Sequence, residues 1–184
     1  RITVEIPGVD DPNEVLEDLG SPGQLYFIAQ YDSEGNQNYV PDESAAGDVK
    51  YSLTTDIQTL IDNGSVVMNG NDVKDAVASY QTNQSGAKEI VVQLKLKDKA
   101  TDKWGEATTT AAAGNQSIGI YYNDHFISVP TVNEPILNGD CVITMNGTDE
   151  ETYKQAQKVA TFIRAGAINL ELEELESNVV GAQL

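Results

Sequence analysis

Ser117-Ile118-Gly119-Ile120-Tyr121-Tyr122-Asn123-Asp124-His125-Phe126-Ile127-Ser128-Val129 is the stretch that decides the fold class. Two runs of strand-forming residues flank Asn123-Asp124, a pair that favours a tight turn. The stretch therefore predicts two antiparallel strands joined by a hairpin. A doubly wound parallel sheet would instead need a long crossover between successive strands. The hairpin thus indicates an α+β fold.

Further strands are predicted on both sides of this hairpin from alternating or β-branched residues. They are Ile2–Ile6, Leu25–Ala29, Val66–Met68, Ile90–Leu96, Asp140–Met145 and Leu170–Glu173. Residues 31–50 are rich in Asp, Ser, Gly and Asn, which predicts loop or hairpin with a turn at Glu34-Gly35-Asn36.

Helices are predicted where apolar residues recur at helical spacing between capping residues. They cover residues 11–20, 56–62, a brief turn within 71–78, 99–112 and 148–164. Trp104, Ala107, Thr108 and Ala111 should face inward. The last helix is expected to begin with a capping box at Thr148-Asp149-Glu150-Glu151 and to end at Gly166.

The charge balance excludes several classes of partner. The chain has 184 residues, with 29 acidic residues against 11 Lys and Arg, and a net charge of −18. Such a surface repels nucleic acid and anionic lipid headgroups. No apolar run approaches the roughly 20 residues needed to span a bilayer. No signal peptide is recognisable, and both ends are typical of a piece excised from a longer protein.

Few residues are suited to catalysis. A nucleophilic triad or a zinc site would depend on His125 and Cys141, the single histidine and the single cysteine. His125 is expected to be a solvated turn residue, and Cys141 a small core residue. Asp32 to Asn36 partly matches a calcium loop but lacks the glycine at the sixth position and the later bidentate acid, which favours a plain turn. The residues therefore predict no enzyme, cofactor or metal.

Four stretches together resemble SecD, the accessory subunit of the bacterial Sec translocase, and they occur in the order of that family. They are Arg1–Val9 (family pattern RIxVxLPGV), Val66–Ala76 (LTGxDLKDA), Asp124–Ile136 (DGxVxSAPxVxxxI) and Arg164–Gly181 (RAGALPxPLE…E…VG). The chain departs from the pattern at His125, Val129, Asn169-Leu170 and Ala182.

The resemblance implies a place in a larger protein. In SecD, a large extracytoplasmic loop joins the first two transmembrane helices. The loop has a base near the membrane and a mobile head. Here the base would be residues 1–31 and 167–184, forming a partial ferredoxin-like lobe, and the head would be residues 32–166, with mixed sheet and helix. The transmembrane helices would lie outside this chain, in the cell membrane, with this domain on the periplasmic or extracellular side.

The resemblance also implies partners and an activity. SecD-like proteins work with SecF and the SecYEG channel and use the proton gradient to complete export of unfolded precursor proteins. Transient precursor binding is then expected at a sheet edge, at an apolar groove, or at Tyr121, Tyr122 and Phe126 near the hairpin. Hinges for head motion are expected at Gln30–Ser33 and Gly166–Asn169.

Two other functions stay open. The main alternative is a free-standing cell-surface binding module, such as a lipoprotein or adhesin domain, and the third is a hydrolase that uses surface carboxylates. If the base is incomplete, Ile2–Ile6 should be an open edge strand that is prone to pair with another copy.

Overall fold

The computed structural model describes residues 24–145 and 147–182, with side chains to Ala167. The predicted strand Ile2–Ile6, its open edge and the helix over 11–20 lie outside the described residues. The strands are β1 Leu25–Ala29, β2 Tyr39–Pro41, β3 Tyr51–Leu53, β4 Val66–Asn69, β5 Val73–Thr82, β6 Lys88–Leu96, β7 Ile118–Tyr122, β8 His125–Ser128 and β9 Asp140–Thr144. The helices are α1 Ile57–Asp62, α2 Thr101–Ala113 and α3 Glu150–Ala182, with 3-10 turns at Gly70–Asp72 and Asp98–Ala100.

The described strands form three antiparallel sheets. Their strand orders are β4-β1-β7-β8, β5-β6-β9 and β2-β3. β7 and β8 pair Tyr122 with His125, and the two turn residues between them both have positive φ, 52° at Asn123 and 67° at Asp124. This is the backbone that a tight two-residue hairpin requires. The α+β prediction and the hairpin that carried it are both confirmed.

The four-stranded sheet has an apolar cluster on each face because its strands alternate. On β1, Leu25 and Phe27 enter the main cluster, whereas Ile28 enters the second. The main cluster also holds the buried faces of α2, α3 and the three-stranded sheet. The second cluster is built from α1, the β2-β3 pair and β8 around Tyr39, Leu60 and Phe126. The sheet is therefore buried on both sides.

The helical turn predicted within residues 71–78 is wrong for most of that range. Only Gly70–Asp72 is helical, and β5 begins at Val73. β5 pairs along its whole length with β6, from Val73 opposite Leu96 to Thr82 opposite Lys88. A long hairpin partner therefore overrides a weak local helical preference.

The end of the last predicted helix is also wrong. α3 continues through Gly166 to Ala182, so Leu170–Glu173 is helical rather than a strand, and Gly166–Asn169 is not a loop crossing. Gly166 serves close packing instead. A Cβ there would lie 2.5 Å from Cβ of Leu25 and 3.2 Å from Cδ1 of Tyr122. The missing side chain lets the helix backbone approach the sheet.

The start of α3 differs from the predicted capping box by one residue. Oδ1 of Asp149 accepts hydrogen bonds from the backbone N of Thr152 at 2.9 Å and from its Oγ1 at 2.6 Å. Asp149 is therefore the N-cap, and Thr148 lies outside the helix. These bonds hold the pKa of the Asp149 carboxyl below its usual value.

Candidate functional site

The three aromatic residues predicted from the sequence as precursor contacts do not form one surface in the structure. Tyr122 is 1% exposed and packs in the main cluster, where its ring centroid lies 5.5 Å from that of Phe162. Phe126 is also 1% exposed, but it belongs to the second cluster on the other face of the sheet. Tyr121 lies 4.9 Å from Phe126, edge to face, and is partly exposed. In this conformation, only Tyr121 is accessible to a ligand.

Gly119 explains why Phe126 is buried. A Cβ at Gly119 would lie 2.6 Å from Cε1 of Phe126 and 3.2 Å from Cε2 of Tyr39. The aromatic ring therefore covers the backbone of β7 where a side chain is missing. A glycine inside a strand is a sequence signal for such a close approach.

An open groove of about 1080 Å³ lies between the edges of two sheets. One side is the continuous segment 127–138, which follows from β8, and the other is residues 140–145, which include all of β9. Its apolar lining from the main cluster includes Phe27, Trp104, Ile118, Ile120 and Ile127. The rim exposes two large apolar side chains, Leu137 at 69% and Val142 at 45%. We call this feature the edge groove.

The outer edge of β9 presents backbone hydrogen-bonding groups to the edge groove. The N–H of Met145 donates to the carbonyl of Ile90, and the carbonyl of Gly139 accepts from Leu96. Odd-numbered residues of β9 therefore face β6, and the N–H and C=O groups of Val142 and Thr144 face away from it. Within the described chain, no strand pairs with that outer edge. Unpaired backbone groups of this kind are those to which a further strand can add.

The segment opposite β9 is held by α2. The backbone N–H of Ile136 donates to Oγ1 of Thr108 at 2.9 Å, and Thr108 is fully buried. Gly105 leaves room for Leu137, because a Cβ there would lie 3.2 Å from Cδ2 of Leu137. The prediction that Trp104, Thr108 and Ala111 face inward is confirmed, with Ala107 partly buried. The sequence predicted precursor binding at a sheet edge or an apolar groove but did not give its position, although Pro130 and Pro135 indicate a fixed loop at this rim.

Titratable side chains show no catalytic arrangement in the described parts of the chain. Burial raises the pKa of the Cys141 thiol to about 12, as suits the predicted core residue. His125, expected to be solvated, is instead partly buried, with its ring centroid 6.2 Å from that of Phe162. Among described residues, no group of three or more His, Cys, Asp and Glu could hold a metal ion.

The segment considered for calcium is a hydrogen-bonded turn. Oδ1 of Asp32 accepts from the backbone N–H groups of Glu34 and Asn36, each at 2.9 Å, and Gly35 has φ of +84°. These bonds, first that from Asn36, hold the pKa of the Asp32 carboxyl below its usual value. The carboxylate oxygen thus caps its own turn.

Two of the stretches quoted from the sequence meet in space. A Cβ at Gly70 would lie 2.6 Å from the carbonyl oxygen of Gly166, so the 3-10 turn packs directly on α3. Asp72 fixes this turn: its carboxylate accepts from the N–H of Asn69 at 3.0 Å and pairs with Nζ of Lys103 at 2.8 Å. The side chain of Asp72 is 3% exposed. Both stretches therefore carry packing and capping roles.

Comparison with known families gives a match over more than half of the chain. Residues 48–170 match the family described as SecDF, P1 head subdomain. The chain belongs to the SecDF P1 head family. The resemblance to SecD stated from the four stretches is confirmed, and the α+β fold is that of a SecDF P1 head.

Curated relatives cover the whole chain. The protein translocase subunit SecD of Acidaminococcus fermentans is 29% identical over 184 residues, which is 100% of this chain and 34% of that protein. The SecD subunit of Petrotoga mobilis is 27% identical over 202 residues, again 100% of this chain and 41% of that protein. The chain thus spans about a third to two fifths of the length of these relatives.

A solved SecDF structure has a similar fold. SecDF of Thermus thermophilus, a translocon-associated membrane protein, aligns with a TM-score of 0.50 and 20% sequence identity, covering 89% of this chain and 22% of that one. At this identity, the likeness concerns the fold. No described helix of this SecDF P1 head chain is long and apolar enough to cross a membrane.

Proposed function

We propose that this chain is the extracytoplasmic domain of a SecD-like accessory subunit of the Sec translocase, and that it binds extended segments of exported proteins in the edge groove. The observation that carries the proposal is the open edge of β9 beside an apolar lining. The backbone N–H and C=O groups of an unfolded segment are bonded only to water, and adding the segment as a strand exchanges those bonds for bonds to β9. β9 has five residues, which suits a short extended segment.

The geometry favours binding of segments with many different sequences. Backbone pairing does not depend on sequence, and alternate side chains of an added strand point to one face. The lining of Phe27, Ile120 and Ile127 can receive apolar side chains of different sizes. Such binding is weak for any single sequence and accepts many. A precursor held transiently on the outer side would be hindered from sliding back through a channel.

Family membership supports the wider setting. We propose that the whole protein is anchored in the cell membrane by helices outside this chain, works with SecF and the SecYEG channel, and uses the proton gradient elsewhere in the molecule. Residues 1–31 and 167–184 are proposed as the membrane-proximal base, and 32–166 as the head. β1 lies in the same sheet as strands of the proposed head, so base and head would share this sheet. No catalytic role is proposed for this domain.

Direct contact of precursors with Tyr121, Tyr122 and Phe126 stays a prediction. Tyr121 could take part without rearrangement because it is partly exposed. Tyr122 and Phe126 are each 1% exposed, so their contact with a ligand would need the hairpin to move away from its neighbours. The edge groove requires no such change and is therefore the first candidate.

The test is peptide binding to chains altered at Val142. Val142→Pro removes an N–H that faces the open edge, and proline is tolerated at such edge positions. Val142→Ala removes the exposed side chain but keeps the N–H. A fluorescein-labelled peptide of about eight alternating Val and Thr residues is titrated with each chain, and anisotropy is measured. The single tryptophan, Trp104, lines the groove and gives a second signal.

We expect Val142→Pro to weaken binding by about tenfold and Val142→Ala by no more than about threefold. Urea unfolding of both chains checks that the fold is kept. Equal losses for the two substitutions would refute backbone pairing at β9. Absence of peptide binding to the unaltered chain would refute the binding function altogether.

A further inference from the structure

Resting on the proposed function, we infer that the edge groove selects extended apolar segments that carry Lys or Arg over otherwise equal segments that carry Asp or Glu. The occupant is thus a cationic, partly apolar stretch of unfolded chain. The preference for positive charge depends on the charged side chains around the groove, and the apolar character depends on its lining.

The charged side chains lining the edge groove have one sign. They are Glu134 on the segment opposite β9 and Asp140 at the start of β9, and both are exposed. No Lys or Arg is among the lining residues of the described chain. The nearest cation by register is Lys95, which lies across from Asp140 on β6. An anionic segment would therefore bring like charges to both sides of the groove.

The net charge of the whole chain has the same sign as the two groove acids. The net charge of −18 attracts cationic segments from a distance and repels anionic ones. Such attraction falls off beyond about 10 Å at 0.1 M salt. Groove acids act at close range, whereas the net charge acts on approach, so the two contributions can be separated by substitution and by salt.

The apolar part of the occupant follows from the lining and the rim. Leu137 and Val142 are exposed on opposite sides of the groove, above buried Trp104 and Ile120. A strand added to β9 can place apolar side chains toward this lining and direct Lys or Arg toward Glu134 and Asp140. Long cationic side chains suit that arrangement because their stems are apolar.

The experiment compares two labelled peptides of about eight residues that differ only in having two Lys or two Glu among Val and Thr. Both are titrated with the whole chain at low and at high salt. The double variant Glu134→Gln, Asp140→Asn removes both groove acids. Glu34→Gln, Asp62→Asn removes the same charge from exposed positions that do not line the groove.

We expect the Lys peptide to bind about fivefold more tightly at low salt, with the ratio falling toward one at high salt. At low salt, the ratio of the Lys-peptide affinity to the Glu-peptide affinity should fall in the groove variant. In the control variant, this ratio should stay close to that of the unaltered chain. A ratio of one at every salt concentration would overturn the charge preference and leave groove binding intact. Equal effects of the two variants would assign the preference to net charge and overturn the groove assignment. If neither peptide binds, the proposed function itself fails.

Discussion

Gly166 lies inside α3, where a glycine ordinarily costs about 0.5–1 kcal/mol relative to alanine. Alanine would therefore be expected to stabilise the helix. We expect Gly166→Ala instead to lower the free energy of unfolding by about 2 kcal/mol. The added Cβ would meet Cβ of Leu25 at 2.5 Å and the Tyr122 ring at 3.2 Å, so helix or sheet must shift. Urea unfolding followed by circular dichroism measures the change.

Gly105 provides the matched control because it is also a buried glycine inside a helix. A Cβ there would meet Cδ2 of Leu137 at 3.2 Å, and Leu137 is 69% exposed and can move. Gly105→Ala should therefore leave stability unchanged or raise it by up to about 1 kcal/mol. Equal destabilisation by both alanines would show that close packing on Leu25 is not what selects glycine at position 166.

Gly166 also shows a limit of reading sequence locally. A glycine after an amphipathic run indicates a helix end, because many helices end at a glycine in the left-handed conformation. Its actual partners, Leu25 and Tyr122, come from distant parts of the chain. Gly119 is a similar case, since its partner Phe126 could be identified only once the hairpin register was known.

At the scale of the element, the Asp149 cap of α3 predicts how stability depends on pH. Bonds from Thr152 hold the pKa of the Asp149 carboxyl below its usual value, so folding favours the ionised form. The cap therefore contributes its full stability above the unfolded pKa of about 3.9 and loses it as pH falls through the lower folded pKa. Asp149→Ala should unfold at a lower urea concentration than the unaltered chain at neutral pH, and this difference in midpoint should disappear in acid.

Thr148→Ala distinguishes the observed cap from the capping box that the sequence predicted. Thr148 makes no cap if Asp149 does, so its substitution should leave unfolding in urea close to that of the unaltered chain across the same pH range. A large effect of Thr148→Ala together with a small effect of Asp149→Ala would contradict the observed start of α3.

Elements with strong local signals were predicted well. β1, β6, α1, α2 and the β7-β8 hairpin each have alternation, capping residues or turn residues of their own. β5 was missed because its strand character comes from pairing with β6 at nine of its ten residues. A sheet edge or an apolar groove was predicted as the binding surface, but the position of the edge groove could not be derived from the sequence. It requires the segment 127–138 and β9 to meet, which depends on how two sheets pack on α2 and α3.

At the scale of the whole molecule, β7 joins the two apolar clusters. Ile118, Ile120 and Tyr122 enter the main cluster, whereas Tyr121 packs on Phe126 in the second. Oη of Tyr39 lies 2.7 Å from Oγ of Ser117, just before β7, which adds a polar link between the layers. Because β7 serves both clusters, we expect loss of one cluster to destabilise the other.

This shared strand predicts a single unfolding transition. Phe126→Ala empties the centre of the second cluster and should lower the free energy of unfolding by about 3–5 kcal/mol. Trp104 lies in the main cluster, so the urea midpoint measured by its fluorescence should fall together with the midpoint measured by circular dichroism. If the fluorescence midpoint stayed at its original value while the helical signal moved, the clusters would unfold independently. The edge groove, whose lining comes from the main cluster, would then survive loss of the second.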